Sequence, residues 1–220
     1  RRITSNIKKV ILYLLAGNII EVILVFVSML LNMEMFTTLQ LLWLNLVTDS
    51  IPAIMLAFEK SDDHVMDNSP ENKSSTTFFT PFLNAKIIGC AIFKSTVMIV
   101  LYLYFARTYD MAVAGSLMFI FLIGNELLYS FTCRNLKKSI LNKDIFSNKR
   151  LVIGVGVIVI IQILMLLTDL SKFFIVRGLD IKLILTTLGI CFLTFIIDEF
   201  AKPIYTKLFK DYVEVNNEKQ

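Results

Sequence analysis

The chain has 220 residues, of which 56% are hydrophobic, and its mean hydropathy is +0.70. Soluble domains are about 45–50% apolar, so this composition excludes an ordinary water-soluble fold. The formal net charge is only +4, and the basic residues stand between apolar stretches, which indicates topology signals and lipid headgroup contact and argues against nucleic-acid binding. Three widely spaced cysteines without a C-x-x-C pattern predict neither a disulfide framework nor a thiolate metal site.

The apolar residues fall into six stretches, each close to the ~20 residues that a helix needs to cross a bilayer. The sequence therefore predicts an all-α, polytopic membrane protein, a bundle of six transmembrane helices within one domain over residues 1–220. Because the chain begins with Arg1, we expect it to be a piece of a longer protein. The predicted spans are about 10–31, 36–58, 82–105, 111–131, 151–170 and 181–200.

The basic residues predict the orientation of the bundle. They cluster in the N-terminal flank, in the loop after the fourth span and in the tail, and six spans place these three regions on one side. The positive-inside rule makes that side cytoplasmic, so both termini are expected there. The loop after the second span lies on the same side but is acidic, which neither supports nor opposes the assignment.

The first predicted span carries two polar side chains near its middle. Asn18 and Glu21 are three residues apart, so a helix places them on one face. An ionisable residue at membrane depth costs at least ~2.5–3.5 kcal/mol on insertion scales, and its default interpretation is functional.

The second predicted span contains the strongest polar cluster. Asn45, Thr48 and Asp49 stand at i, i+3 and i+4, which predicts one shared helix face. Pro52 has no N–H, so the carbonyl of Thr48 is expected to lose its helical donor. A carboxylate, a carboxamide, a hydroxyl and a free carbonyl are oxygen ligands of the kind that a hard cation such as calcium takes.

The later spans add fewer polar residues. Glu126 in the fourth span could complete the cation site, or it could snorkel to water. Lys94 in the third span is interpreted as the partner of a buried acid or as a snorkelling residue. The alternative is a built-in cation that occupies part of the site. Gln162 in the fifth span is expected to make a packing hydrogen bond.

Together these residues predict a cation site between the first, second and fourth spans. The competing interpretation is that they are protonated acids and amides that only bond helices together, at about 1 kcal/mol each. The candidate ligands are Asn18, Glu21, Asn45, Thr48, Asp49 and Glu126.

The stretch Leu-Leu-Trp-Leu-Asn-Leu-Val-Thr-Asp-Ser-Ile-Pro-Ala, residues 41–53, closely resembles the sixth transmembrane helix of P-type cation-transporting ATPases. The nearest subgroup is the sarco/endoplasmic-reticulum-type calcium pumps and their bacterial relatives. Residues 6–21 resemble the stalk and fifth helix of that family. Residues 126–149 resemble its eighth helix and the loop that follows, and residues 198–202 resemble the end of its tenth helix.

The resemblance implies that the six candidate residues are ligands of transported calcium. It implies an integral, multi-pass protein of the bacterial plasma membrane, whose partners are the bilayer and the remaining pump domains. Magnesium and ATP would bind only in those domains, because this sequence has no Asp-Lys-Thr-Gly-Thr phosphorylation motif. The chain alone is therefore expected to be unable to hydrolyse ATP.

Three departures from the family pattern stand out. Ser50 stands where many relatives have Gly, Pro70-Glu71 stands where a basic residue is expected after the proline, and Lys94 has no recognised counterpart. Two other functions stay open at this stage. One is a free-standing six-helix secondary transporter or channel, and the other is a purely structural anchor of the pump.

Overall fold

A computed structural model describes residues 2–59, 79–136, 139–141, 146–176 and 179–209. Within these ranges the chain is all-α, and six helices are long and apolar enough to cross a membrane. The Pro70-Glu71 pair lies outside the described residues. The elements are α1 (Arg2–Leu30), α2 (Thr38–Trp43), a π-helical turn (Leu44–Thr48), α3 (Ser50–Ala57), α4 (Pro81–Thr108), α5 (Met111–Thr132), α6 (Lys149–Leu167), α7 (Leu170–Phe173) and α8 (Ile181–Leu208).

The helices differ from the predicted spans chiefly at their ends. Helix α1 begins at Arg2, because the polar flank before the first span continues the same helix. Helix α8 runs on to Leu208 and passes through Pro203, where a break would be expected. The second span is not one regular helix. It is built from α2, the π-helical turn and α3, which together cover Thr38–Ala57.

Polar capping side chains explain where five helices begin. The hydroxyl of Thr37 accepts from the backbone N–H of Gln40, and that of Thr80 accepts from the N–H of Leu83. These caps satisfy N–H groups that have no partner inside the helix. The side chains of three further residues cap α5, α6 and α8 in the same way, namely Asp110, Asn148 and Asp180.

Helix α5 is the centre of the bundle. Most of its residues are buried, and it packs against α8, α4, α3, the π-helical turn and α1. Its buried Phe119 and Phe121 belong to the larger apolar core. The other long helices keep exposed apolar faces, for example at Val22 and Ile160. That distribution is the one expected of a helix surrounded by protein among helices that face lipid.

A polar cluster, buried at Asn6, Glu59 and Arg134, joins four spans at the end of the bundle predicted to be cytoplasmic. Arg134 donates from Nη2 to Oε1 of Glu59 at 2.9 Å and to Oγ of Ser147 at 2.6 Å. The amide of Asn148 also donates to Glu59. Asn6 of α1 donates to the backbone carbonyl of Glu59 at 2.9 Å. We call these five residues the Glu59 cluster.

The other end of the bundle is closed by the segment after α7. Phe174 packs edge-on against Trp43, with ring centroids 5.1 Å apart, and stacks on Phe119 at 6.0 Å. Its carbonyl accepts from Nε2 of Gln40 at 2.8 Å. Trp43 also donates from Nε1 to Oε1 of Gln162 at 3.2 Å, which confirms the packing hydrogen bond expected of that glutamine.

Two glycines provide a matched test of this packing. A Cβ on Gly115 would lie 3.0 Å from the carbonyl oxygen of Glu34, whereas a Cβ on Gly156 would meet nothing within 4 Å. We expect Gly115→Ala to lower the melting temperature, because backbone must move to admit the methyl group. Gly156→Ala should leave it unchanged or raise it, since Ala is ~0.8–1 kcal/mol better than Gly in a helix. Equal melting temperatures for the two variants would contradict this packing.

Candidate cation site

The second span contains a π-helical turn at Leu44–Thr48, the stretch in which the sequence analysis located the polar cluster. The backbone N–H of Asp49 donates to the carbonyl of Leu44, five residues back, at 2.9 Å. Such π-helical turns are rare in proteins, and those that do occur are often found at functional sites. The carbonyl of Thr48, which Pro52 cannot bond, accepts instead from the hydroxyl of Tyr13 at 3.3 Å. The carbonyl of Thr48 therefore lacks a backbone donor, as predicted, but it accepts a hydrogen bond from the Tyr13 side chain of α1.

The π-helical turn also changes which side chains face inward. Thr48 and Asp49 are buried, with relative exposures of 0% and 3%. Asn45 is exposed, so the three residues do not share one buried face as the α-helical spacing predicts.

Asn45 links the first and second spans directly. Its amide nitrogen donates to Oε2 of Glu21 at 2.8 Å and to the carbonyl of Leu41 at 3.0 Å. Glu21 is buried, and its other oxygen, Oε1, has no hydrogen-bond partner. Asn18 is exposed one turn before Glu21, and its side chain makes no hydrogen bond within the described ranges.

Asp49 lies against a glycine of α1. A Cβ on Gly17 would be 3.8 Å from Oδ2 and 3.9 Å from Oδ1 of Asp49, so the missing side chain leaves the carboxylate room beside α1. Gly17 and Tyr13 are four residues apart and lie on the same helix face, toward the second span. The predictions from sequence did not include Tyr13. Its spacing from Gly17 and Glu21 is the signal that identifies it.

Glu126 comes from α5, on a third span. Its side chain is 3% exposed, and neither carboxylate oxygen has a hydrogen-bond partner. It therefore does not snorkel to water, which was one of the two interpretations of this residue. The hydroxyl of Thr48 is likewise buried without a partner.

The arrangement leaves four buried oxygen atoms unpaired on three spans, two from Glu126 and one each from Glu21 and Thr48. Buried polar atoms without partners are costly and rare in proteins, so they require an explanation. The carboxylates of Glu21 and Glu126 supply two negative charges, and Asp49 would supply a third. Oxygen ligands with this charge fit a hard divalent cation. In the part of the chain that the structure describes, no three His, Cys, Asp or Glu side chains converge into a complete metal cluster.

Lys94 does not belong to the candidate cation site, because its ammonium forms an ion pair with Asp198 of α8. Its ammonium lies 2.8 Å from Oδ2 of Asp198 and 3.8 Å from the ring centroid of Tyr129. The interpretation of Lys94 as the partner of a buried acid is confirmed. The partner lies more than one hundred residues away on α8, and no local pattern in the sequence identifies it.

Comparison with known proteins identifies the family to which the chain belongs. The model of the family described as "Cation transporting ATPase, C-terminus" matches residues 33–204. The chain belongs to that family, and it is the C-terminal membrane domain of a P-type cation-transporting ATPase.

Several individual relatives are calcium-transporting ATPases of bacteria. The chain is 31% identical over 155 residues to the calcium-transporting ATPase of Bacillus subtilis, covering 69% of this chain and 17% of the relative. It is 32% identical over 199 residues to calcium-transporting ATPase 1 of Bacillus cereus, covering 83% and 22%. For calcium-transporting ATPase lmo0841 of Listeria monocytogenes the identity is 35% over 150 residues, covering 68% and 17%. The chain thus spans about a fifth of the length of these relatives.

Proposed function

We propose that this chain is the ion-binding membrane portion of an ATP-driven calcium pump. The observation that carries the proposal is the set of four buried, unpaired oxygens on α1, the π-helical turn and α5. The relatives named above, all calcium-transporting ATPases, support calcium as the ion.

In this proposal the ligands come from three spans. Glu21, Asp49 and Glu126 supply charge, and their mutual repulsion in a buried site favours a divalent cation over an empty site. The hydroxyl of Thr48 supplies a neutral oxygen. Asn45 donates through its amide nitrogen to Glu21, so its carbonyl oxygen is available to the ion.

Asn18 and Asn45 mark the open side of the proposed site. Both are exposed, and the apolar side chains beside them, Val22 and Leu46, are 69% and 66% exposed. We assign this face to contact with other helices of the pump, which would bring further ligands. ATP and magnesium would bind in the cytoplasmic domains, and calcium would leave the cytosol across the bacterial plasma membrane, with both ends of this chain on the cytoplasmic side.

The test is ATP-dependent calcium uptake into inverted membrane vesicles that contain the protein expressed from its full reading frame. We expect Glu126→Gln to raise the calcium concentration for half-maximal uptake by roughly tenfold or more, because one charged ligand is lost. Glu34→Gln is the matched control, since Glu34 is an exposed acid in the turn after α1.

Two results would contradict the proposal. Uptake that responds equally to both substitutions would remove Glu126 from the site. Calcium flux through this chain alone in liposomes, without ATP, would favour a free-standing transporter or channel.

A further inference from the structure

A second polar region lies apart from the candidate cation site, in a cavity of about 220 Å³ between α4, α5 and α8. Its inner wall contains Lys86, Tyr129 and Thr132, all buried. Its rim contains Phe93 and Ile197, and Ile197 is 49% exposed on the outer surface of the bundle. The cavity thus has a mainly apolar lining with a few buried polar groups on its inner wall, and it opens toward the membrane.

The charges around this cavity do not balance. Lys94 pairs with Asp198 at 2.8 Å, and Lys202 pairs with Glu199 at 2.6 Å. Lys86 donates to the backbone carbonyl of Leu136 at 3.0 Å. Within the described ranges, no carboxylate lies within ion-pair distance of Lys86, although it is only 4% exposed. A buried ammonium ordinarily has an anionic partner.

The cavity is also lined by the carboxylate of Asp198, which pairs with Lys94, and by two hydroxyls that are free to donate. The hydroxyls of Tyr129 and Thr132 are buried and have no hydrogen-bond partner. Together with the two free N–H groups of the Lys86 ammonium, they form a donor set suited to the oxygens of a phosphate group. The same lysine would repel a cation, so this cavity does not extend the candidate cation site.

The depth of the cavity suggests where the phosphate comes from. Helix α4 has 28 residues, about 42 Å at ~1.5 Å per residue, so it exceeds the ~30 Å hydrocarbon core by ~6 Å at each end. Lys86 lies in the second turn of α4, close to the boundary of the hydrocarbon core. A free anion would have to reach this level past the rim, whereas a lipid headgroup is already there.

We propose that this cavity binds the phosphate of an acidic phospholipid, with Lys86 as its counter-charge, Tyr129 and Thr132 as hydrogen-bond donors, and the acyl chains leaving past Phe93 and Ile197. Basic pockets between transmembrane helices at this level are the usual sites for such headgroups. The inference does not depend on calcium transport.

The test measures the melting temperature of the detergent-purified protein, expressed from its full reading frame, while phosphatidylglycerol, phosphatidylcholine or inorganic phosphate is added. We expect phosphatidylglycerol to raise the melting temperature at concentrations where the other two have no effect. Lys86→Met should raise the half-maximal phosphatidylglycerol concentration roughly fivefold or more. Lys207→Met is the matched control, because Lys207 is an exposed lysine at the same end of the bundle, and its titration should be unchanged.

Thr132→Val keeps the test decisive if Lys86→Met does not fold, since it removes one donor at constant shape. It should also weaken the response to phosphatidylglycerol severalfold. Titrations of both variants that match the unsubstituted protein would overturn the site. An equal response to phosphatidylcholine would overturn its selectivity for acidic lipid, and an equal response to inorganic phosphate would overturn the assignment to a lipid.

Discussion

Replacing Glu21 by Gln and Asp49 by Asn, each alone, is expected to abolish calcium-dependent phosphorylation of the full-length pump at calcium concentrations that saturate the unsubstituted protein. Each substitution removes one full negative charge from the proposed site, and calcium affinity depends strongly on ligand charge. We expect a loss of roughly a hundredfold in affinity, about 3 kcal/mol. The measurement is incorporation of phosphate from labelled ATP as a function of calcium.

Asp180→Asn is the matched control for these variants. Asp180 is exposed and caps α8 by accepting from the backbone N–H of Lys182 at 3.2 Å, and Asn can take over this role. Its phosphorylation curve should follow that of the unsubstituted pump. If Glu21→Gln and Asp49→Asn also follow that curve while folding normally, the chain is a structural anchor and the proposed ligand set is wrong.

Breaking the ion pair between Lys94 and Asp198 is expected to produce the largest loss of stability. Lys94 is 1% exposed and Asp198 11%, so removing either partner leaves a charge buried without compensation. Such losses cost about 3–5 kcal/mol. Lys94→Met should therefore lower the melting temperature strongly, and the double variant Lys94→Met/Asp198→Leu should recover most of the loss, because an apolar pair leaves no charge unpaired.

The exposed pair between Lys172 and Asp169 supplies the comparison. Its side chains are 77% and 86% exposed although the atoms are 2.6 Å apart, and exposed pairs contribute about 0–1 kcal/mol. Lys172→Met should leave the melting temperature nearly unchanged. A similar response to Lys94→Met and Lys172→Met would show that the buried pair is not a stabilising contact.

The sequence predicts the parts of this structure that depend on local patterns. Runs of apolar residues define six spans, and the polar residues within them identify the side chains that the structure buries, such as Thr48, Asp49 and Glu126. Pro52 correctly indicates a carbonyl without a backbone donor. Each of these inferences needs only the composition or spacing of neighbouring residues.

The parts that sequence does not predict depend on contacts between distant segments. That Tyr13 shares the carbonyl of Thr48, and that Asp198 pairs with Lys94, follows from how helices far apart in the chain pack together. The π-helical turn at Leu44–Thr48 was not predicted either, since the spacing of polar residues in the second span indicated a regular α-helix. The spacing of neighbouring residues predicts none of these three features.

The Glu59 cluster also implies an order of events during synthesis. Glu59 enters at the end of the second span, yet its partner Arg134 lies 75 residues later and Asn148 lies 89 residues later. At about 5–20 residues per second, Arg134 follows some 4–15 seconds behind Glu59. During that interval the first two spans of the growing chain lack the contacts that Arg134 and Asn148 make with Glu59. That interval ends when the segment between the fourth and fifth spans, which carries Arg134 and Asn148, has been synthesised.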